Sequence, residues 1–266
     1  MAYGLFYPTW TDRVEIDMQA PAHSRFDFGY SFLWSHGHAL LASALILLAF
    51  FLIWAGVTGV VIAWVAILAV WAWAGYLVTR LVFKAHLPMS LPTANFMPDG
   101  QGDVLDLGCG SGRTSIMVGQ ARPGVSITAL DNFSAAYIRD HGQERLFANL
   151  RIAGIDGRVT LQRGDMLSLP FDDESFDGAV RSYALDHLKG GIPRALFEAR
   201  RVLKPGGQFL LMVILPDLTM NIPYPGLVHL AFLSRDRWHE NFEEIGFEVV
   251  EEGTPAGGGW FLLRRV

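Results

Sequence analysis

Val104-Leu-Asp-Leu-Gly-Cys-Gly-Ser-Gly-Arg113 is the stretch of sequence that decides the fold. It starts as an apolar run typical of a buried strand, reaches an acidic side chain at Asp106, and then has glycine at 108, 110 and 112. Such a turn between a strand and a helix lets a ligand lie against bare backbone, with amide N–H groups directed at its polar atoms. The pattern therefore predicts a nucleotide-type pocket, and the acidic residue before the turn suits a ligand that carries a positive charge.

Strand-like and helix-like segments alternate beyond residue 102. We predict strands at 103–107, 126–130, 159–162, 178–182 and 208–215, with helices near 111–120, 134–153 and 193–203. This alternation predicts a parallel sheet covered on both faces. The last two predicted strands, 247–251 and 260–264, are joined by a short glycine-rich connection that favours an antiparallel pair. The expected fold is α/β, a doubly wound, mostly parallel seven-stranded sheet with an antiparallel C-terminal edge.

A long apolar run precedes this sheet. From Ala39 to Thr79 the chain has no Asp, Glu, Lys or Arg, and the whole sequence is 51% hydrophobic and only 18% charged. One bilayer span needs about 20 apolar residues, so the run is long enough for two. We expect a two-helix transmembrane hairpin over residues 38–84, with spans near 39–55 and 60–78 and a glycine-containing reversal between them. The alternative is a buried hairpin in a soluble core, which the lack of a polar face disfavours.

The basic residues around this run predict its orientation. Arg25 precedes the first span, Arg80 and Lys84 follow the second, and the intervening turn has no basic residue. By the positive-inside rule, both termini and the domain after the hairpin are cytoplasmic, in an integral protein of the inner or plasma membrane. Residues 1–37 then form a cytoplasmic or interfacial segment, whose aromatic side chains suit either the membrane surface or a solvated arm. Residues 85–266 form the second domain.

Charge and cysteine content narrow the partners. The formal net charge is −5, which argues against nucleic acid, because phosphate binding needs a basic surface. The single cysteine, Cys109, has no intrachain disulfide partner. No Cys/His cluster has metal-ligand spacing, so we expect no metal. The sequence leaves the oligomeric state undetermined.

Candidate binding residues follow the predicted strands, because ligands of doubly wound sheets bind beyond the carboxyl ends of the strands. Asp131 and Asn132 follow the second strand. The Asp131 carboxylate suits two ribose hydroxyls or the N-cap of the next helix, and the two roles can coexist. Asp165 and Met166 follow the third strand and suit the amino group and the ring of an adenine.

The fourth predicted strand ends in the segment Arg181-Ser-Tyr-Ala-Leu-Asp-His187. If the substrate reacts through a hydroxyl group, it needs a general base. His187 is the best candidate, with Asp186 beside it and Tyr183 one helical turn earlier. The alternative of equal weight is that His187 has a packing role.

These segments together resemble the successive motifs of class I S-adenosylmethionine-dependent methyltransferases, over about residues 100–266. The glycine spacing is G-x-G-x-G, which differs from the G-x-G-x-x-G of dinucleotide-binding folds. A Leu-Lys-Pro-Gly-Gly turn before an apolar strand is an independent match. The stretches that carry the resemblance are 104–112, Asp131, 164–165, 176–177 and 201–210.

The resemblance implies a Rossmann-like methyltransferase fold with S-adenosyl-L-methionine as the cofactor. Its methionine part would lie against Asp106 and the glycine loop, its ribose against Asp131, and its adenine between Asp165 and Met166. Arg181 and Ser182 would lie near the methionine end and face the acceptor, whereas Asp177 would have a structural role. The cofactor-binding residues implied are Asp106, Gly108, Cys109, Gly110, Asp131, Asn132, Asp165, Met166, Arg181 and Ser182.

The predicted hairpin favours a lipophilic or membrane-associated acceptor, because an anchored site meets such a molecule in the bilayer. A lipid amine, a quinone-precursor hydroxyl and a thiol all fit. The apolar segment 216–234 is either a lid that dips into the membrane or a helix packed on the hairpin. The alternative function is a membrane-tethered S-adenosylmethionine sensor or scaffold without catalysis. A nicotinamide-dependent oxidoreductase is disfavoured by the glycine spacing.

Overall fold

The computed structural model describes residues 25–84, 86–134, 142–183, 188, 190–225, 232–255 and 258–266. Seven strands form one sheet: β1 (Gln101–Leu107), β2 (Gly124–Asp131), β3 (Val159–Arg163), β4 (Phe176–Ser182), β5 (Leu203–Val213), β6 (Phe247–Gly253) and β7 (Gly259–Arg265). Their order across the sheet is β3-β2-β1-β4-β5-β7-β6. Strands β1 to β5 pair in parallel, and β7 lies antiparallel between β5 and β6. The predicted seven-stranded mixed sheet is confirmed.

The strand order reverses at β1, which has β2 on one side and β4 on the other. In doubly wound sheets a crevice opens beyond the carboxyl ends of the strands at such a point. The glycine-rich turn directly follows β1 and therefore lies in this crevice.

Helices cover both faces of the sheet. The first helix after β1 is preceded by Gly112, whose φ of 89° is left-handed. That helix therefore begins two residues later than predicted, because the left-handed glycine is still part of the turn. Ser234 caps the last helix, because its side chain accepts a hydrogen bond from the Arg237 amide. The helices are α3 (Arg113–Ala121), α4 (Gln143–Ala153), α5 (Ile192–Val202), α6 (Leu218–Asn221) and α7 (Arg235–Ile245).

The core consists of layers on the two faces of the sheet. Because side chains alternate along a strand, Phe209 and Leu211 of β5 point into the layer that contains Trp238. Leu210 and Met212 point into the opposite layer. Because both layers consist of buried apolar side chains, the register of β5 is fixed. The pairing of β4 with β5 then fixes the position at which β4 ends.

Two long helices, α1 (Phe32–Trp54) and α2 (Gly59–Val78), pack against each other ahead of the sheet. A π-helical turn, Thr79–Phe83, continues α2 and ends at Lys84, which has a left-handed φ of 45°. By length and composition both helices are able to cross a membrane, and only 6% and 22% of their most apolar segments are buried. The first helix begins at Phe32, several residues before the predicted span, since the polar stretch that includes Ser35 and His36 is also helical.

The described part of the N-terminal segment, residues 25–31, packs against the sheet domain. Phe28 is buried, and its carbonyl accepts a hydrogen bond of 3.0 Å from the Ser111 hydroxyl. The Asn149 side chain accepts from the Asp27 amide and donates to the Asp27 carbonyl. For these residues the prediction of a solvated arm is therefore wrong, whereas a position at the membrane surface stays a prediction. Side chains of the sheet domain satisfy the arm's backbone, which allows its aromatic rings to be buried. We call residues 25–31 the docked arm.

The segment after β5 contacts the helical hairpin. Helix α6 is capped by Asp217, and the residues that follow it reach the hairpin through their carbonyl groups. The Trp71 indole donates to the Ile222 carbonyl at 2.6 Å, and His38 Nε2 lies 3.3 Å from the Pro223 carbonyl. We call residues 216–225 the strap. Of the two predictions for segment 216–234, packing on the hairpin is confirmed for the strap, whereas residues 226–231 lie outside the described residues.

Candidate cofactor and acceptor site

The glycine-rich turn uses its amide groups to tie β1 to β2. The amides of Gly108 and Cys109 both donate to the Leu130 carbonyl, at 2.7 and 3.1 Å, and the Gly110 amide donates to Asp131 Oδ2 at 2.8 Å. The prediction that these amides point at a ligand is therefore wrong. Because these three amides are already bonded, the turn offers a ligand mainly hydrogen-bond acceptors, namely carbonyl oxygens and carboxylates. Such a set suits a cationic group rather than a phosphate.

Asp106 is the buried acidic residue beneath this turn. It is fully buried, its Oδ2 accepts a hydrogen bond of 2.5 Å from the Ser115 hydroxyl, and its Oδ1 has no partner among the described residues. Burial raises the pKa of this carboxyl to about 7, against the opposing effect of the Ser115 hydrogen bond. A buried oxygen without a partner is costly, which makes a donor from a ligand favourable. The residues therefore fit a ligand ammonium group.

Arg181 supports the turn from below. Its guanidinium is buried and donates to the Leu107 carbonyl at 3.0 Å. A Cβ at Gly108 would lie 3.1 Å from Arg181 Nη1, and the φ of this glycine is 76°. Glycine is thus required at 108 by both space and backbone conformation. One guanidinium nitrogen of Arg181, Nη1, is thus directed at the backbone of the turn, and the predicted place of Arg181 near the methionine end stays a prediction.

Asp131 holds the end of β2 in shape. Its Oδ2 accepts the Gly110 amide, and its Oδ1 accepts the Phe133 amide at 2.6 Å. Phe133 itself has a left-handed φ of 54°. The neighbouring Asn132 makes a similar bond to the Ser134 amide at 3.0 Å. A carboxylate has about four acceptor positions, so two remain for ribose hydroxyls. The ribose role thus stays a prediction beside an observed structural role.

The third strand end places Asp165 and Met166 at the same edge of the sheet. Asp165 is exposed, with its Oδ1 accepting the Leu167 amide at 2.9 Å. Met166 is half-buried against the core layer of α5. Their assignment to adenine remains a prediction that the geometry permits.

The fourth strand end supplies two of the predicted residues. The Ser182 hydroxyl lies 2.7 Å from the Thr114 hydroxyl, which joins β4 to the first turn of α3. Tyr183 has a left-handed φ of 50° and donates its amide to the Met212 carbonyl at 2.9 Å. Asp186 and His187 lie outside the described residues, so the predicted general base stays a prediction.

Two further predicted residues have structural environments. Cys109 is buried in the layer beneath the docked arm, and burial raises the pKa of its thiol well above the ordinary value. The thiol is therefore poorly reactive. Asp177 accepts the Asp103 amide at 2.9 Å and pairs with Lys204 at 2.7 Å, at the amino end of β4. Its predicted structural role is confirmed.

Arg113 connects the glycine-rich turn to the end of the helical hairpin. Its guanidinium donates to the carbonyls of Leu87 and Lys84, at 2.8 and 3.0 Å, and stacks over Phe28 with its carbon 5.9 Å from the ring centre. It also interacts electrostatically with Tyr30 and Tyr183, while burial lowers its pKa. The Arg113 side chain thus reaches from the glycine-rich turn to the end of the helical hairpin.

The sequence contained a signal for this role that we did not use. Arg113 is the first residue of α3, where a positive charge opposes the helix dipole. A basic residue at such a position needs other partners, and the free carbonyls at the C-terminal end of a preceding helix are suitable ones. The hairpin contacts of His38 and Trp71 had no comparable signal.

Comparison with known proteins agrees with this geometry. Residues 104–207 match the family described as "Methyltransferase domain". The chain is 33% identical over 154 residues to a demethylmenaquinone methyltransferase of Symbiobacterium thermophilum, covering 58% of this chain and 55% of that protein. It is 33% identical over 172 residues to a 2-phytyl-1,4-naphtoquinone methyltransferase of Synechococcus elongatus, covering 60% of this chain and 64% of that protein. The chain thus spans about half to two thirds of the length of these curated relatives.

The fold has solved counterparts. A crystal structure of an S-adenosylmethionine-dependent methyltransferase from Methanosarcina mazei superimposes with a TM-score of 0.53 at 20% identity, covering 68% of this chain and 99% of that one. At this identity the likeness concerns the fold. Together with the family match, it supports a class I S-adenosylmethionine-dependent methyltransferase domain in the sheet region. S-adenosyl-L-methionine is the cofactor that this domain implies.

Proposed function

We propose that this protein is a membrane-anchored S-adenosylmethionine-dependent methyltransferase whose acceptor is a lipophilic small molecule taken from the bilayer. The apolar hairpin anchors the chain, and both termini and the methyltransferase domain lie on the cytoplasmic side. The basic side chains at the ends of the hairpin, Arg25, Arg80 and Lys84, support this orientation. In this proposal, residues 1–37 precede the anchor, residues 38–84 form it, and residues 85–266 carry the chemistry.

The bridge made by Arg113 is the observation that carries the proposal. It bonds the carbonyls of Lys84 and Leu87 while standing next to the glycine-rich turn. The residues between the hairpin and β1 therefore do not act as a long spacer. A cofactor on the turn lies within one side chain's reach of the hairpin end, which places the reacting groups close to the membrane surface.

The position of the strap supports entry of the acceptor from the bilayer. Trp71 precedes Arg80 by nine residues of helix, which is about 13 Å along the axis. If Arg80 marks the membrane surface, the strap carbonyls that meet Trp71 and His38 lie below it. A carbonyl group without a donor costs several kcal/mol in hydrocarbon. The two hairpin side chains satisfy the carbonyls of Ile222 and Pro223, as a segment at that depth requires.

The protein's part in the reaction is to bind, align and exclude water. When bound, S-adenosylmethionine supplies an electrophilic methyl group. Asp106 accepts from the ammonium, the carboxylate of Asp131 holds the ribose, and Asp165 with Met166 frames the adenine. Arg113 lies between the glycine-rich turn and the hairpin and interacts electrostatically with Tyr183, and we expect the acceptor to arrive there. His187 with Asp186 would take the proton of a hydroxyl acceptor, whereas an amine or a thiolate needs little such help.

The acceptor class follows from the anchor and from the relatives' names. Both curated relatives are named for quinone-type substrates with an apolar tail. A membrane-embedded strap beside the hairpin suits a molecule of this shape, because its tail remains in hydrocarbon while its ring reaches Tyr183. A ring hydroxyl or ring carbon of a quinone precursor is the first acceptor to test, ahead of a lipid amine or a thiol.

A labelling experiment tests the proposal. Purified full-length protein in detergent is incubated with S-adenosylmethionine labelled in its methyl group and a membrane extract, and the label is followed into lipid, quinone and water-soluble fractions. We expect label in a lipophilic fraction. Trp71→Phe keeps the ring but removes the donor to the Ile222 carbonyl, so its KM for the acceptor should rise several-fold with unchanged cofactor affinity.

Trp73→Phe is the matched control, because Trp73 is on the same helix and its described ring contact is with Tyr76. It should behave as the native protein does. Label in no fraction, together with intact cofactor binding, would contradict methyl transfer and leave the sensor alternative. Label confined to water-soluble products would contradict a bilayer acceptor.

A further inference from the structure

A cavity lies between the docked arm and the end of the hairpin from which α1 starts. Its volume is about 180 Å³. Phe26, Phe28 and Tyr30 of the arm form one wall, and the start of α1 and the end of α2 form the other. The polar groups that line it come from His36, Arg80, Thr79, Ser35, Asp27 and His86.

The nitrogen-bearing side chains of this cavity have few protein partners. Arg80 makes no ion pair with a carboxylate among the described residues, and the Nδ1 atom of His36 is buried without a hydrogen-bond partner there. Burial, together with the charges of Arg80 and Arg113, lowers the pKa of His86. That shift agrees with a positive potential at this end of the hairpin.

The acceptor groups of the cavity are already in use. The Asp27 carboxylate pairs with Arg145 at 3.1 Å and accepts the Gly29 amide at 2.8 Å. The Thr79 hydroxyl donates to the Gly75 carbonyl at 2.9 Å within its own helix. The cavity thus presents the Arg80 guanidinium, which has no carboxylate partner among the described residues, beside the His36 ring and the apolar ring faces of the arm.

We propose that this cavity binds a phosphate group, held by Arg80 and His36, at the level of the lipid headgroups. The proposal rests on the membrane anchoring argued above, since Arg80 follows the second apolar helix within two residues. Guanidinium groups are strong partners of phosphate oxygens, and the His36 ring lines the same cavity. The ring faces of Phe26 and Tyr30 suit the glycerol and first methylene groups of a lipid. The phosphate belongs either to such a headgroup or to a free phosphate ion.

Native mass spectrometry of the delipidated full-length protein in detergent tests the site. The probes are phosphatidylglycerol, phosphatidylcholine and inorganic phosphate, each titrated while S-adenosylmethionine binding is measured in the same sample. We expect one saturable phosphatidylglycerol adduct whose affinity falls at least tenfold in Arg80→Gln. His36→Asn should lower the affinity in the same direction. Lys84→Gln removes the same charge four residues further on, does not line the cavity, and should change the affinity less than twofold.

The outcomes separate the ligand's source from the proposal itself. Adducts with both lipids but not with inorganic phosphate identify a headgroup, whereas equal binding of inorganic phosphate identifies a free ion. The proposed site would be contradicted if Arg80→Gln and Lys84→Gln lost the same affinity for phosphatidylglycerol, or if no probe gave a saturable adduct. Because S-adenosylmethionine binding and methyl transfer are read independently, failure of the proposed function remains distinguishable from failure of this cavity.

Discussion

At the scale of single residues, the site is organised around one carboxyl group. Asp106 is buried beneath the glycine-rich turn with one oxygen bonded to Ser115 and the other without a partner. The amides of residues 108–110 donate to Leu130 and Asp131. A nucleotide-phosphate site would have the opposite arrangement, with free amides and no buried acid. The residues therefore select a cation.

The pKa of Asp106 predicts a pH dependence of cofactor affinity. Below pH 7 this carboxyl is mostly protonated in the free protein, because burial raises its pKa to about 7. The cofactor's ammonium favours the ionised form, so binding must deprotonate Asp106, at a cost that falls as the pH rises. We expect affinity to increase about tenfold from pH 5.5 to pH 7, below the α-amino pKa of about 7.7–8.0.

Calorimetric titration with S-adenosylmethionine measures this dependence. Asp106→Asn keeps an oxygen that can accept the Ser115 hydroxyl but cannot ionise, so its affinity should be low and nearly constant over the same range. A native affinity that is independent of pH, or a variant that keeps the native slope, would show that another group carries the effect.

The sequence predicted the kind of ligand at this scale but not the contacting atoms. An acidic residue before three glycines indicated a cationic nucleotide-type ligand, and the motif resemblance narrowed it to S-adenosylmethionine. Which amides of the turn were free depended on Leu130 and Asp131, which come from another strand. Arg181 was expected to face the acceptor, and only the packing of β4 beside β1 shows that it supports Gly108.

At the scale of elements, the docked arm supports the cofactor site although it is distant from that site in the sequence. Phe28 is buried against the layer that also contains Cys109 and Phe133, both next to the glycine-rich turn or the end of β2. Its carbonyl is held by Ser111 within the turn itself. The arm thus covers the outer side of the residues that shape the cofactor pocket.

Truncation of this ring tests the arm. Phe28→Ala removes a buried aromatic side chain, and such changes lower the free energy of unfolding by about 3–5 kcal/mol. We expect a large loss of stability together with weaker S-adenosylmethionine binding, measured by denaturant unfolding in detergent and by calorimetry. Phe197→Ala, at a ring that is 45% exposed on α5, is the control and should cost much less. Equal losses from the two substitutions would mean that the arm does not stabilise the site.

The elements themselves were largely predictable, whereas the arm and the strap were not. Apolar runs between helix-like stretches predicted every strand of the sheet, because burial on both faces imposes such runs on β1, β4 and β5. The arm's partner, Asn149, lies 122 residues from Asp27, and the strap's Ile222 lies 151 residues from Trp71. Local sequence contains no information about such distant pairs.

At the scale of the whole molecule, the hairpin is attached to the methyltransferase domain at both ends. The docked arm holds the chain before α1, and Arg113 holds the carbonyl groups after α2. The strap adds a third contact along the hairpin's side. These contacts limit how far the domain can move relative to the hairpin, and they keep the crevice beside β1 at the same level of the hairpin.

Cysteine labelling tests the proposed topology. The single native cysteine, Cys109, is buried with a raised thiol pKa and should react slowly with maleimides. Thr58→Cys places a thiol in the turn between the two helices, and Glu244→Cys places one on the exposed face of α7. In intact cells an impermeant maleimide should label only Thr58→Cys, and Glu244→Cys should require permeabilised membranes. The reverse pattern would contradict the orientation, and labelling of both in a soluble fraction would contradict the anchor.

The docked arm also has a consequence for how the protein is made. Asp27 leaves the ribosome 122 residues before Asn149, its partner, which is about 6–24 s at ordinary rates of synthesis. In the proposed topology, the hairpin emerges and enters the membrane within that interval, before the Asn149 side chain is available to the arm. Docking of the arm then follows insertion, and it adds the Phe28 contact to the glycine-rich turn. The proposed anchor would thus be in place before the support of the methyl-donor pocket is complete.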